Sequence, residues 1–366
     1  MTSAASGADL ALVSTGARLP FVPSPPIQYR SGGRQLWAAA IEGLVRDSRL
    51  VSLDRDGRIA SPAVALPFLV TGLDVGPSGL LLAGNGSDGG LMAVGLDGAD
   101  PRPDAGWTVD VPPTGPVTQV AVPAVLAGRG HLVWQTAGVD AGSVLWMAEV
   151  GAGGRVEPTA LGFDDLSADA GLAVVGDRLA LARVHGQRQA LDVVWMGAGG
   201  VHLGTVPVAE HVGPATPAVG ALDGAAVVAW NDGRDLRLTC IPTDAPSAPA
   251  AGGTGRARAE LSVGLGSGRL RSCAVLTGEG DRAAIVWHSS RAGDPGPTAE
   301  VPGRREPVPV VDGWVAGLDV GAWRLGAPVH LDPPGTVHHG GGWVGDRLLV
   351  VHGAQEPVVS VLEPVS

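Results

Sequence analysis

The sequence predicts an all-β protein built from seven similar units of about fifty residues each. Three observations lead to this prediction. Short apolar runs rich in Val and Leu recur along the chain, bounded by Gly, Asp or Pro, which is typical of strands buried on both faces. A pattern of turn, apolar run and then Trp, His or Arg returns at a near-constant spacing. Gly and Pro, at 57 and 30 of 366 residues, supply the turns that many short strands require.

The repeat is clearest at three Gly-Asp-Arg turns, which begin at Gly176, Gly280 and Gly345 and lead into LALAR, AAIVW and LLVVH. Looser copies extend the pattern to seven positions at the end of the apolar run. These aligned positions are Trp37, Gly84, Trp134, Arg183, Trp230, Trp287 and His352. The spacing is close to fifty except in the fifth and sixth units, where inserts 244–255 and 289–307 lengthen the chain.

Each unit contains four short strands, shown most clearly in the fifth as TPAVGAL, AAVVAW, LRLTCI and ARAELSV. Four strands per unit at this period resemble the β-propeller architecture. Blades that pack face to face bury both sides of each sheet, which explains continuous apolar runs. We therefore predict one seven-bladed β-propeller domain with four-stranded antiparallel blades. The predicted blades are 29–66, 67–113, 114–165, 166–210, 211–265, 266–334, and 335–366 together with 8–16.

The last unit is one strand short, because only PVVSVLEP follows His352. Segment 8–16, ADLALVSTG, offers a spare strand near the other end of the chain. We expect this N-terminal strand to close the ring by pairing into the seventh blade, which would cover exposed sheet edges. The best helical candidate is LWAAAIEGLV at 36–45, and it fits a pair of strands almost as well.

Composition narrows the classes of function. Apolar residues make up 45% of the chain and charged residues 17%, so a packed core is expected rather than disorder. A net charge of −11 argues against nucleic-acid binding, which needs a basic stripe. The sequence contains no lysine, which excludes a Schiff-base lysine and a phosphate-loop lysine. Neither a signal peptide nor an apolar run long enough to span a bilayer is found, so we expect a cytoplasmic protein without membrane insertion.

Known catalytic motifs are nearly absent. Gly84–Gly89 matches the dinucleotide pattern G-x-G-x-x-G, but the strand GLMAVGL follows instead of the required helix. We interpret this segment as a glycine-rich hairpin. Asp54–Gly57 resembles half of a calcium loop, but it lacks the later ligands and is better interpreted as a tight turn.

Topology suggests where a site would lie. In a propeller, the second-to-third strand turns and the blade-to-blade connections emerge on one face, the top, around the mouth of the central channel. The connections contribute candidate catalytic residues, namely His211, His338, His339, Asp164 and Asp165. The same three histidines are candidate ligands of a divalent metal ion. The alternative is that these residues are polar only because connections are exposed.

The repeat and the inserts place further residues on the predicted top face. Candidate ligand-binding residues are His288, Arg271, Trp343 and Arg291. Turn residues expected beside them are Asn85, Asp88, Gln135, His185, Asn231, Asp232 and His352. Insert 289–307 leaves a top-face turn and could form a lid or reach a partner. The tryptophans at the repeat position favour packing between blades over sugar stacking.

Two classes of function follow. The favoured hypothesis is a non-catalytic binding propeller that holds a small-molecule ligand or a protein partner on its top face. The alternative is a metal-dependent lyase or hydrolase with a His/Asp site at the channel mouth, by architectural analogy. Glycan recognition by exposed tryptophan is a third, weaker hypothesis.

Overall fold

A computed structural model gives the structure of the protein. It describes residues 9–19, 23–42, 48–115, 117–137, 143–161, 171–184, 189–213, 216–244, 260–265, 268–278, 280, 282–291, 298–299, 308–309, 311–335, 340–352 and 357–365. Within these ranges the chain is β-strand and turn, and the one helical segment is a 3-10 turn at Ala198–Gly200. No helix in this part of the chain has the length and apolar character needed to cross a membrane.

The first half of the chain supplies one strand of the last blade and then four complete blades. β1 (Leu10–Arg18) belongs to the seventh blade. The first blade contains β2 (Pro23–Ser31), β3 (Leu36–Glu42), β4 (Ser48–Leu53) and β5 (Ile59–Leu66). The second contains β6 (Leu69–Gly76), β7 (Gly79–Asn85), β8 (Leu91–Leu96) and β9 (Trp107–Asp110). The third contains β10 (Val117–Leu126), β11 (Arg129–Ala137), β12 (Ser143–Val150) and β13 (Thr159–Ala160). The fourth contains β14 (Gly171–Val175), β15 (Arg178–Val184), β16 (Leu191–Met196) and β17 (His202–Ala209).

The second half supplies three blades. The fifth contains β18 (Ala218–Leu222), β19 (Ala225–Asn231), β20 (Asp235–Pro242) and β21 (Leu261–Gly264). The sixth contains β22 (Gly268–Thr277), β23 (Arg282–Arg291), β26 (Val311–Asp319), β27 (Arg324–Leu325) and β28 (Val329–Gly335), with β24 (Thr298–Ala299) and β25 (Val308–Pro309) paired separately. The seventh contains β29 (Gly340–Val344), β30 (Arg347–His352), β31 (Val358–Pro364) and β1.

These seven antiparallel sheets form a seven-bladed β-propeller, which confirms the predicted fold class. The chain also divides into two compact units. The first is Met1–Ala65, Gly233–Leu238 and Leu261–Ser366, and the second is Leu66–Asp232 and Thr239–Glu260. The first blade begins at Pro23, earlier than the predicted residue 29, and Pro25 and Pro26 lie at a register shift between Ser24 and Ile27. Proline, which lacks a backbone N–H, is tolerated at such bulges.

The N-terminal strand closes the ring as predicted. β1 pairs antiparallel with β31 from Leu10 opposite Pro364 to Arg18 opposite Val358, and it forms the outer edge of the seventh blade. Leu10 is buried in one apolar cluster with residues of the sixth and seventh blades. Two register shifts interrupt β1, between Leu12 and Ser14 and between Thr15 and Ala17. Bulges of this kind make an edge strand a poorer template for aggregation.

The core lies between successive blades. In the second unit, Ala180 and Ala182 of β15 pack in one cluster with Ala226, Val228 and Trp230 of β19. The leucines that alternate with these alanines in β15 pack in another cluster, with residues of the third blade. Alternate residues of this strand therefore face different blades, which is why its apolar run does not alternate with polar residues.

One aligned position was wrong. Trp134, Trp230 and Trp287 are each the sixth residue of a second strand, as the repeat predicts. Trp37 is instead the second residue of β3, which starts at Leu36 and continues to Glu42. The segment 36–45 therefore begins with a strand and not a helix. Trp37 is nevertheless buried, so its packing role is retained.

The three Gly-Asp-Arg turns each tie one blade to the next. Arg178 Nη1 donates a hydrogen bond to the Thr243 carbonyl at 2.5 Å, within the second unit. Within the first unit, Arg282 Nη1 donates to the Gly345 carbonyl at 2.5 Å, and Arg347 pairs with Asp56. In each case the arginine begins the second strand of a blade and reaches a loop of the following blade. The repeated motif is thus explained by contacts between blades.

Candidate functional site

Four of the five predicted catalytic residues lie outside the residues that the structure describes, namely His338, His339, Asp164 and Asp165. His211 is exposed in the connection between β17 and β18. Within the described ranges, no group of three His, Cys, Asp or Glu side chains is arranged to hold a metal ion. The metal site therefore stays a prediction.

The candidate ligand-binding residues have different environments. His288 is only 2% exposed, and its Nδ1 lies 2.9 Å from Ser272 Oγ in a hydrogen bond. Trp343 is 3% exposed and donates from Nε1 to the Leu276 carbonyl at 3.2 Å. His288 therefore lies in a strand and not in an exposed turn, and both side chains are buried; a role of either residue in ligand binding stays a prediction. Arg271 is exposed and donates from Nε to Ser290 Oγ at 2.7 Å. Arg291 ends β23, and its side chain lies outside the described part of the structure.

Other residues assigned to exposed turns are also buried strand residues, namely Gln135, Asn231 and His352. His352 Nε2 lies 2.7 Å from Ser360 Oγ, which is 3.0 Å from Thr15 Oγ1, so a chain of polar contacts crosses the closing blade. Pairing of serine with histidine is a feature of activated nucleophiles. Because Ser360 and His352 are almost fully buried, a substrate could not reach this pair. The glycine-rich segment and the segment that resembles half of a calcium loop are both tight turns, as predicted. Hydrogen bonds within Gly86–Gly90 and within Asp54–Arg58 close them.

His131 of β11 is fully buried, and burial lowers its pKa because the imidazolium would be desolvated. Its Nδ1 lies 3.1 Å from the Arg129 carbonyl. Glu149 opposes this shift and the Arg129 charge reinforces it, but both effects are smaller than desolvation. The folded protein therefore holds His131 neutral to a lower pH than the unfolded chain does.

This difference predicts a loss of stability in mild acid. As the pH falls below about 6.5, the ordinary value for histidine, the unfolded chain binds a proton that the folded chain resists. The free energy of unfolding should then decrease by up to about 1.4 kcal/mol per pH unit from this group. Urea unfolding at pH 7.5, 6.5 and 5.5 should show a smaller loss for His131→Leu than for the wild type. Parallel curves for the two proteins would exclude His131 as the cause.

A cavity of about 210 Å³ lies in the second unit, beside Trp107, and we call it the Trp107 pocket. It lies at the end of the blades where first-to-second and third-to-fourth strand turns emerge, opposite to the predicted top face. Its lining comes from the second and third blades, and Trp107 itself is half-buried. The lining residues are Ser78, Gly79, Leu80, Leu81, Gly95, Leu96, Asp97, Ala105, Gly106, Trp107, Val125, Gly128 and Gly130.

Glycine at position 95 allows the indole to lie where it does. Gly95 and Trp107 are direct partners across β8 and β9. A Cβ on Gly95 would sit 2.2 Å from both Cε2 and Nε1 of Trp107, which is far below any real contact. The ring therefore rests directly on the strand backbone. Any larger residue at position 95 would displace this wall of the pocket.

Asp97 provides the one charged side chain in the lining. Its Oδ1 accepts a hydrogen bond from the Ala99 N–H at 2.8 Å, which fixes the carboxylate at the start of the loop 97–106. Arg102 lies in the same loop as Asp97, and Arg129 lies between two lining glycines of the third blade. Each arginine pairs with another carboxylate: Arg102 with Asp100 at 2.8 Å and Arg129 with Glu149 at 3.2 Å. Hydrogen bonding and charge from Asp100 raise the pKa of Arg102. Within the described structure, no basic side chain pairs with Asp97.

Sequence analysis did not identify this pocket. Trp107 lies outside the aligned repeat position, and its loop belongs to the face from which no site was expected. The only local signal is the combination of one tryptophan with three aspartates in LDGADPRPDAGW. Neither the indole position nor the wall contributed by Val125 can be read from that pattern.

Comparisons with known proteins address the fold. No family model and no curated protein matches the chain. Among solved structures, the BP39L lectin from Burkholderia pseudomallei has a TM-score of 0.61 at 14% identity, covering 94% of this chain and 99% of that one. The WD40 domain of Toxoplasma gondii coronin has a TM-score of 0.55 at 12% identity, covering 98% and 88%. BBS1N, solved in complex with ARL6DN, has a TM-score of 0.54 at 12% identity, covering 98% and 97%. At these identities the likeness establishes the β-propeller fold and nothing about the ligand.

Proposed function

We propose that this protein is a non-catalytic binding propeller that holds a small molecule in the Trp107 pocket. The observation that carries the proposal is a cavity of about 210 Å³ that joins an indole wall and aliphatic side chains to a single carboxylate. Ligand sites typically combine an apolar lining with a few placed polar groups. The volume lies below the range of roughly 300–1,000 Å³ for drug-sized ligands, so the ligand is compact.

The chemistry of the lining supports binding rather than catalysis. The lining contains no histidine, cysteine or arginine, so neither a His-activated nucleophile nor an oxyanion-stabilising cation is present there. Ser78 has a hydroxyl group, and the one lining side chain that could act as its base is Asp97. Oδ1 of Asp97 already accepts a hydrogen bond from the Ala99 N–H. Elsewhere, both described serine–histidine pairs place the imidazole inside a blade, where His288 is 2% and His352 is 1% exposed.

The top-face site remains a separate prediction. A ligand or protein partner at the channel mouth, and the alternative of a metal-dependent lyase or hydrolase, both depend on His211 together with His338 and His339. Variants of the Trp107 pocket would leave any such site intact. The two locations can therefore be tested independently.

A pocket-blocking variant tests the proposal. Ser78 is exposed at the rim, and Ser78→Tyr should fill the entrance. A panel of small cationic, neutral and anionic molecules is screened by thermal shift with the wild type and this variant. Ligands of the wild-type pocket should stabilise it by about 2.7 kcal/mol at a hundredfold excess over the dissociation constant, and this gain should disappear in Ser78→Tyr.

Ser87→Tyr is the matched control, because Ser87 is an exposed turn residue at the other end of β7. It should respond to ligands as the wild type does. NMR spectra of each ligand after prolonged incubation should show it chemically unchanged. Equal responses from all three proteins would move the site elsewhere, and conversion of the ligand would make the protein an enzyme.

A further inference from the structure

The Trp107 pocket has a negative electrostatic environment, which limits the ligands that it would accept. The loop 97–106 carries Asp97, Asp100 and Asp104 against Arg102 alone. Arg102 is held by Asp100 through Nε at 3.0 and 2.9 Å, so it is not available to neutralise Asp97. The other flanking arginine, Arg129, is bound by both carboxylate oxygens of Glu149. An anionic ligand would therefore meet Asp97 without a compensating cation.

A neutral polyol is also a poor match. The apolar part of the wall comes from Val125, from the indole of Trp107 and from the edges of three leucines, Leu80, Leu81 and Leu96, which are each only 3% exposed. Hydroxyl groups of a sugar placed against these side chains would lose water without gaining partners, at a cost of about 1–3 kcal/mol for each unsatisfied group. The side-chain hydrogen-bonding groups of the lining are those of Ser78, Asp97 and Trp107.

An organic cation satisfies both features of the pocket. The face of an indole attracts a cation through its quadrupole, with about 0.5–2 kcal/mol depending on desolvation, and tryptophan is the best side chain for this contact. Asp97 in the same lining supplies charge pairing, while Val125 and the indole offer apolar contacts to methyl groups. We infer that the Trp107 pocket binds a small methylated or quaternary ammonium compound; this inference rests on the proposed function and specifies its ligand class.

The experiment compares ligands of equal shape and different charge. Choline and tetramethylammonium are titrated into the protein by calorimetry, together with 3,3-dimethylbutan-1-ol, the neutral carbon analogue of choline, and glucose. Choline should bind at least about tenfold more tightly than its neutral analogue, because only the cation gains from the indole and the carboxylate. Affinity should fall as salt is added, since Asp97 lies at an exposed rim.

Asp97→Asn removes the charge and keeps an oxygen that can accept the Ala99 N–H. Its matched control is Asp88→Asn, because Asp88 Oδ1 accepts the Gly90 N–H at 2.9 Å in a similar exposed turn. Choline affinity should fall about tenfold in Asp97→Asn and stay unchanged in Asp88→Asn. Circular dichroism of both variants verifies folding.

The outcomes separate the two proposals. Binding of choline that Asp97→Asn weakens supports the inference. If the neutral analogue or glucose binds as tightly as choline and Ser78→Tyr abolishes that binding, the ligand class is wrong and the binding function stands. Choline affinity that Asp97→Asn leaves unchanged also overturns the ligand class. If no compound of either panel binds in a manner sensitive to Ser78→Tyr, both proposals fail.

Discussion

Deletion of residues 1–18 should abolish the cooperative folding of the protein. The deletion removes the whole of β1, which supplies the outer strand of the seventh blade. It exposes the pairing edge of β31 and uncovers the apolar cluster that contains Leu10, Leu348 and Leu362. The free energy of unfolding of a whole domain is only about 5–15 kcal/mol. The loss of one strand of the closing blade should remove most of it. Size-exclusion chromatography and urea unfolding should show aggregated or partly unfolded protein.

Point variants within β1 provide the controls. Leu12 and Val13 are each 48% exposed, so Leu12→Ser combined with Val13→Ser should change stability by less than about 1 kcal/mol. Leu10 is buried, and Leu10→Ala should cost about 2–3 kcal/mol. A synthetic peptide of residues 9–19 added to the truncated protein should restore a cooperative transition. A truncated protein that unfolds at the wild-type urea concentration would show that β1 is not needed for closure.

The closing strand could be predicted because two separate stretches of the sequence point to it. A unit that is one strand short and an unassigned apolar segment near the other end leave few arrangements that bury both. The alignment of Trp37 failed for a reason that is also local. The hairpin before β3 has a four-residue loop between Ser31 and Leu36, whereas a two-residue turn joins Val344 to Arg347. The pattern therefore placed the tryptophan at the end of a run when it lies at the beginning.

The site was harder to predict because exposure was inferred from chain order alone. His288 was assigned to a turn, but β23 continues to Arg291, so the imidazole lies within the sheet and is buried. Strand length cannot be read accurately when an apolar run ends in residues that suit both strands and turns. The Trp107 pocket depends on Val125 of the next blade and on the absence of a side chain at Gly95. Contacts of that kind arise only once the blades are packed.

Gly341→Ala should destabilise the protein by about 3 kcal/mol, the upper part of the range for overpacking a core. Gly341 lies in β29, where all five residues are buried, and it is paired with Val350 of β30. A Cβ at this position would lie 2.0 Å from the Leu349 carbonyl oxygen, a backbone atom of the neighbouring strand. A flexible side chain could move aside, but this oxygen can move only if β29 and β30 separate. The cost should appear as a lower midpoint in urea unfolding.

Gly264→Ala is the control, because Gly264 also lies in a blade strand and a Cβ there would meet no atom within 4 Å. This substitution should be neutral or stabilise by up to about 1 kcal/mol, since alanine restricts the unfolded chain. The difference between the two variants isolates the close approach of β29 to β30 from the general effect of replacing glycine. Equal midpoints would show that the strands tolerate a methyl group between them. The run Gly340–Gly342 would then need another explanation than the tight packing of the innermost strand in the closing blade.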